Sequence, residues 1–254
     1  MTDLHVHTRF SDGADAPEEI VRAAIARGME TVGFSDHSPL PFPCDWCMTG
    51  EGAEAYRAEV TALKEKYRGR IRILLGVEQD FFSVTPTDGY DYVIGSVHFL
   101  SAGGRLWPVD EDEATFCRIA REVFSGDFDA MAEAYFSLVA GVAEKTNADV
   151  IGHFDLISKF NEGEKLFSES SPRYRAAWQA AADRLLETGK PFEVNTGAMS
   201  RGYRTSPYPS EEIRQYLLAR GGRLLLSSDA HAKENIAYGF GTFKETENLM
   251  ETWN

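Results

Sequence analysis

Short apolar runs alternate with longer amphipathic stretches along the whole chain, and this alternation predicts strands and helices in turn. A first strand is expected over residues 2–7, where Leu4 and Val6 interleave with His5 and His7; that spacing puts both imidazoles on one face and both aliphatic side chains on the other. A helix should open at Pro17 and stop at Gly28, with proline in its first turn and glycine past its end. Residues 31–34 form a second apolar run. Residues 38–52, rich in proline and aromatic side chains at their start, read as a long loop of the kind used for lids or binding. A helix over 54–67 then leads to a strand over 71–77, and a further strand is expected over 92–97. Helices over 112–123 and 128–146 precede a strand at 149–152. Ser171-Pro172 opens a helix, with Ser171 as its cap, that runs to Gly189. A strand over 192–194, a helix capped by Ser210, and a strand over 224–228 complete the pattern.

Seven strands separated by helices imply an α/β fold with a parallel sheet or barrel. A barrel of 254 residues commonly forms one domain, so residues 1–254 are expected to be a single unit. Six of the seven strands end at a histidine, aspartate or glutamate: His7, His37, Glu78, His98, His153, and Asp229 with His231. The remaining strand ends at Asn195. In a parallel barrel all these ends gather at one mouth, where such folds carry their chemistry.

Composition narrows the partners. A formal charge of −14 argues against a nucleic-acid surface. It does not exclude a phosphorylated small molecule, because bound cations reverse the sign locally. No apolar run approaches the roughly 20 residues that span a bilayer. The first strand follows directly on Met1 with no leader-like segment, so no membrane partner and a cytoplasmic location are expected. Cys44 and Cys47 have the spacing of a redox or zinc half-site, yet no second pair completes it, and packing within the loop is the plainer alternative. Together with Cys117 they are expected to be reduced thiols.

The histidines carry the strongest signal. All six, His5, His7, His37, His98, His153 and His231, fall at or just past a predicted strand end, where packing histidines would be scattered. With Asp12, Glu78 and Asp229 they form a set of nitrogen and oxygen donors without a thiolate, suited to zinc, manganese or iron in a site open to substrate. One four-coordinate catalytic ion takes three protein ligands and a water, so nine donors imply more than one ion. Three divalent ions would leave a positive surplus over the three carboxylates, which a phosphate dianion and a hydroxide would neutralise.

These segments, namely 3–8, Ser11-Asp12-Gly13, Ser35-Asp36-His37, Glu78, 96–98, Gly152-His153 and 228–231, resemble the PHP (polymerase and histidinol phosphatase) family from residue 3 to about 240. Residues 193–197 followed by Tyr208-Pro209-Ser210 resemble its histidinol-phosphatase branch. The resemblance implies a distorted seven-stranded (β/α)7 barrel with a trinuclear centre. In it, His5, His7, Glu78 and Asp229 would hold one ion; Glu78, bridging, would hold a second with His98 and His153; and Asp12, His37 and His231 would hold a third. The implied reaction is hydrolysis of L-histidinol phosphate in histidine biosynthesis, by attack of a hydroxide shared between ions on phosphorus. Another phosphomonoester, a nucleotide phosphodiester or a phosphotyrosine is the competing substrate class, and a non-catalytic metal-binding module is a third reading. Asp229 or His231 would relay a proton to the leaving group.

Phosphate also calls for cations at the mouth. Arg201 and Lys159 are the leading candidates and Arg9 a weaker one; Asn195 is expected to face the pocket. Asp45, Glu162 and Glu164 could meet the cationic groups of such a substrate, and Phe42 and Trp46 could cover the site. Asp36 either orients an imidazole or accepts hydrogen bonds in a turn. The oligomeric state is left open by the sequence.

Overall fold

In the computed structural model, which describes residues 1–244, the chain begins β1 (Thr2–Asp3), α1 (Pro17–Ala26), β2 (Thr31–Phe34), α2 (Gly50–Lys66), β3 (Arg72–Asp80) and β4 (Tyr92–Ser96). A hairpin of β5 (Phe99–Ala102) and β6 (Arg105–Pro108) follows, then α3 (Glu113–Val123), α4 (Phe128–Val139), α5 (Val142–Thr146) and β7 (Val150–Ile151). The remainder is α6 (Pro172–Leu186), β8 (Phe192–Asn195), α7 (Gly197–Ser200), α8 (Glu211–Ala219), β9 (Leu224–Ser227) and α9 (Phe240–Lys244).

Seven strands pair in parallel in the order β1-β2-β3-β4-β7-β8-β9. The last meets the first through a parallel bridge of Val6 with Ala230, where His7 N donates to Ala230 O at 2.9 Å and Ala230 N to His5 O at 3.2 Å. The expected seven-stranded barrel is therefore present and nearly closed. Its closing seam is held by a buried carboxylate. Asp3 Oδ1 accepts from Ser228 N, and Oδ2 accepts from Ser228 Oγ and from Ala237 N at 2.9 Å. Burial raises the Asp3 carboxyl, and these donors oppose that cost.

Side chains alternate across the strands, so one set fills the barrel and the other meets the helices. Leu4, Leu74, Tyr92, Ile94, Val150 and Leu225 form the inner plug. Tyr92 donates its hydroxyl to Phe34 O at 3.0 Å, and its ring lies so close to Gly76 that a Cβ there would sit 2.2 Å from it. Outside, Ile20, Val21, Tyr56 and Val60 of α1 and α2 cover Val32, Ile73 and Val77. Phe116, Met131, Phe136 and Trp178 pack with Ile151, Phe192 and Leu224 on the other flank. The inner plug closes one end of the barrel, and the polar strand ends gather at the other. No helix among the described residues is long and apolar enough to cross a membrane.

Several local expectations change. The first ladder stops at Asp3, and only Val6 is bridged beyond it. Leu4 joins the inner plug while Val6 joins the outer layer, so the aliphatic pair does not share a face. Glu78 lies inside β3, not at its end. The helix expected over 128–146 divides into α4 and α5 around Ala140 and Gly141. The loop from 38 gives way to helix at Gly50, since Thr49 Oγ1 accepts from Gly52 N at 3.0 Å. Ser171 and Ser210 precede their helices but do not cap them with their side chains; Ser171 Oγ instead donates to Asp129 Oδ2 at 2.7 Å. The β5–β6 hairpin is an addition. Its signal was Gly103-Gly104, both at positive φ (61° and 75°), between two short apolar runs.

Candidate metal centre

The nine proposed ligands converge at one end of the barrel, although they come from six different strands and the turns that follow them. Glu78 lies at their centre. Its Oε2 is 3.4 Å from His5 Nε2, 3.6 Å from His7 Nε2 and 2.7 Å from His37 Nδ1. Its Oε1 is 3.4 Å from His98 Nε2 and 2.8 Å from His153 Nε2. Backbone register explains part of this. His37 and Glu78 form a parallel bridge, and Glu78 N donates to Ser35 O at 3.2 Å, which carries the β2 extension alongside β3. Asp229 Oδ1 faces His7 Nε2 at 3.2 Å and His5 Nε2 at 3.7 Å. Asp12 reaches His7, His37 and His231, the last at 3.1 Å from Oδ2. Asp229 has φ of 48°, the left-handed region that few residues with a side chain adopt, at the turn that aims its carboxylate back over the barrel.

Three groups have donor atoms close enough for one ion each: His5, His7 and Asp229; His37, Glu78 and His98; and His7, Asp12, His37 and His231. Compared with the division that the family resemblance implied, His37 also reaches the second group and His7 the third, Glu78 is not in the first, and His153 stands beside the second group, 2.8 Å from Glu78 Oε1, without belonging to any of the three. His5 Nε2, both ring nitrogens of His7, and Glu78 Oε2 are buried and have no hydrogen-bond partner of good geometry among the described residues. Buried polar atoms are almost always satisfied, so these fit ligand atoms for cations, one lone pair from each neutral ring. The electrostatics agree. Burial, together with the neighbouring His231 and His37, pushes the His7 ring down to about 3, so it is neutral and able to donate a lone pair. Burial works against ionisation of Glu78, yet His37, His5 and His98 hold its carboxyl well below the usual range. Asp229 is likewise held ionised against burial, first by Arg201 and then by His5.

Three carboxylates support this set, and only one of them was considered from sequence. Glu193 accepts from His5 Nδ1 at 2.5 Å, and Asp80 Oδ2 accepts from His98 Nδ1 at 3.1 Å. Each bond leaves the opposite ring nitrogen turned to Glu78, the arrangement that fixes tautomer and orientation in histidine ligands. Both residues could have been found by period. Asp80 shares the inner face with Glu78 two residues away, and Glu193 is the one charge in the wholly buried strand β8. Asp36 proves to be a turn acceptor. It takes hydrogen bonds from Thr8 N at 2.9 Å, Ser11 N at 3.0 Å and Ser11 Oγ at 2.6 Å, pinning the loop that presents Asp12. Burial raises its carboxyl to about 6.

A cavity of about 600 Å³ opens over these ligands. Arg201 and Lys159 both line it. Arg201 Nη2 donates to Asp229 Oδ2 at 3.1 Å and Nη1 contacts His231 Nδ1 at 2.6 Å. Lys159 Nζ donates to Asp110 O at 2.6 Å, and Asp110, which no local pattern in the sequence marks, lines the same wall. Asn195 is a correction. It is fully buried and does not line the cavity, because its Nδ2 donates to Glu193 Oε2 at 3.2 Å and its Oδ1 accepts from Gly197 N at 2.9 Å. Arg9 pairs with Glu59 on the surface at 3.6 Å and stays outside the cavity wall. Of the acidic candidates, Asp45 lines the wall, while Glu162 and Glu164 turn to Thr205 and Ser168. Phe42 and Trp46 do cover the site: Trp46 lies edge-on to His37 at 4.6 Å and to His98 at 5.3 Å, and stacks on Phe99 at 5.6 Å. Cys44 and Cys47, expected as thiols, are joined in a disulfide, since the tight turn around Trp46 brings their Cα atoms to 5.5 Å.

Comparison with known proteins gives the same direction from independent ground. The family model described as PHP domain matches residues 3–197. The chain is 30% identical to the probable histidinol-phosphatase of Deinococcus radiodurans, covering 94% of this chain and 90% of that protein. It is 29% identical to the histidinol-phosphatase of Bacillus subtilis, covering 96% and 98%. Among solved structures, a candidate histidinol phosphatase from Listeria monocytogenes superposes with a TM-score of 0.82 at 20% identity, covering 96% of this chain and all of that one. The histidinol phosphate phosphatase of Lactococcus lactis, solved with zinc, L-histidinol and phosphate, gives 0.65 at 21% identity over 91% and 86%. At these identities the two structures speak for the fold.

Proposed function

The chain belongs to the PHP domain family, and from that premise we propose that it is a divalent-metal-dependent phosphatase that hydrolyses L-histidinol phosphate to L-histidinol and phosphate. The observation that carries this reading is the cluster of nine candidate ligands, eight of them in three donor groups and His153 beside Glu78, beneath a cavity sized for a small molecule. Full-length relatives named histidinol-phosphatase support the substrate. We read three ions into the three donor groups, as zinc, manganese or iron. When bound, such ions act as Lewis acids that make water acidic near neutral pH and offset the charge of a phosphoryl group.

The chain's own residues do the rest. Arg201, fixed by Asp229 and His231, offers a guanidinium to phosphoryl oxygens, whose geometry it matches. Lys159 adds a point charge held in place by Asp110. His231 Nδ1 and Asp229 Oδ1 are 3.5 Å apart at the cavity wall, a pair able to hold a proton and pass it to the departing alkoxide. Phe42, Trp46 and Phe99 exclude water from one side. Asp45, Asp110 and Glu111 make the outer wall acidic, which suits a substrate with an ammonium and an imidazole and repels a polyanion such as nucleic acid. We read residues 1–254 as a single unit acting in the cytoplasm.

The test is a substrate panel. After purification with zinc or manganese, phosphate release is compared for L-histidinol phosphate, p-nitrophenyl phosphate and a dinucleotide. The expected kcat/KM for histidinol phosphate exceeds that for the generic ester by on the order of a hundredfold, because the acidic wall is left without its partners by the latter. Equal rates on the two esters would reject the substrate while leaving a phosphatase, and a preference for the dinucleotide would reject both.

A further inference from the structure

Glu193 is fully enclosed in the barrel and is not among the ligands of any donor group. Its Oε1 accepts from His5 Nδ1 at 2.5 Å and from Ser227 Oγ at 2.8 Å. Its Oε2 accepts from the backbone N of His153 at 2.9 Å and from Asn195 Nδ2 at 3.2 Å. A single carboxylate therefore ties together the ends of β1, β7, β8 and β9. The bond to Nδ1 settles how His5 presents itself. The other ring atom, Nε2, faces Glu78 Oε2 at 3.4 Å and Asp229 Oδ1 at 3.7 Å and is buried with no hydrogen-bond partner among the described residues.

We propose that Glu193 is a positioning residue that couples two metal sites, fixing the tautomer and rotation of His5 in one and the backbone anchor of His153, which stands against Glu78, in the other. The inference rests on the reading of the nine-residue cluster as a metal centre. A carboxylate is needed because all four of its partners are donors. Glutamine at this position would turn an NH2 group toward at least one pair of donors whichever way its amide is placed. Asp80 supports only His98 in this manner, accepting from its ring and from the His98 backbone N, so it joins β3 to the end of β4 but touches a single candidate ligand.

The experiment measures stepwise zinc affinities of wild type and Glu193→Gln by competition with a chromophoric chelator at fixed pH, beside urea unfolding of the metal-free proteins. Two of the steps should weaken by about 10- to 100-fold, while the step belonging to Asp12, His37 and His231 keeps its affinity. Wild-type affinities in all steps would overturn the proposal. So would an equal weakening of every step that matches a loss of metal-free stability, since that marks a merely structural role. If Glu193→Gln does not fold without metal, Ser227→Ala decides. Weakening of the same two steps by roughly threefold, a share of one neutral hydrogen bond, supports the coupling, and unchanged affinities overturn it. Wild type that takes up no zinc would instead remove the metal centre itself, and the coupling with it.

Discussion

Glu78→Gln lowers phosphate release by on the order of a thousandfold, about 4 kcal/mol of transition-state stabilisation, and leaves the barrel folded. The reason is position. Both Glu78 oxygens are turned to imidazoles, Oε2 to His5, His7 and His37 and Oε1 to His98 and His153, so one carboxylate stands between separate donor groups. The amide has nearly the same volume, so packing around β3 is retained. It has lost the negative charge, however, and presents N–H donors where lone pairs are required. Steady-state kinetics on L-histidinol phosphate and far-ultraviolet circular dichroism measure the two halves of this expectation. Near-normal turnover in a folded variant would refute the bridging role.

Removing metal should have the second large effect. Chelation is expected to abolish activity and to lower the thermal midpoint by on the order of 10 °C, with both restored by zinc or manganese. A ligand present at a thousand times its dissociation constant stabilises the folded chain by about 4 kcal/mol, and a protein of this size shifts by roughly 2–4 °C per kcal/mol. The loss has a pH dependence whose sign follows from the rings. Burial would lower His5, but Glu193, Glu78 and Asp229 outweigh it and raise the ring well above its ordinary value; against the same burial, carboxylates raise His98 well above it and His37 above it. In the metal-free chain those rings hold protons that metal must displace, so apparent affinity should increase with pH and fall steeply in acid. Their own contribution to metal-free stability is complete below the unfolded histidine value of about 6.5 and disappears as pH rises through the raised values. The metal-free chain is therefore expected to gain relative stability as pH falls toward about 6.5, while the metal-bound chain begins to lose its ions; below that, His7, held neutral by burial, works in the opposite direction. Differential scanning calorimetry at several pH values, with and without chelator, checks both directions.

How much of this could be read in the residues depends on range. The alternating pattern revealed seven strands because each buries an apolar run of its own, as in β2 and β9. The cluster of candidate ligands was legible because histidines past strand ends are a local signal and parallel topology then gathers them. What stayed hidden are pairings across the barrel. Leu4 and Val6 look equivalent along the chain, but Asp3 anchors the seam to Ser228 and Ala237, and the two part company immediately afterwards. Asn195 ends a strand just as the ligands do, yet its amide is drawn to Glu193 and the start of α7. Ser171 has the chemistry of a helix cap, and the approach of Asp129 from α4 takes its hydroxyl instead. In each case a contact between residues distant in sequence outranks a local preference, as tertiary context commonly does.

Elemental metal analysis per chain, after purification in excess zinc or manganese and removal of loosely held ions, tests the central claim most directly. Candidate ligands drawn from six strands into three adjoining donor groups predict close to three divalent ions per chain. A value well below two in folded, metal-replete protein would contradict the centre and the chemistry built on it.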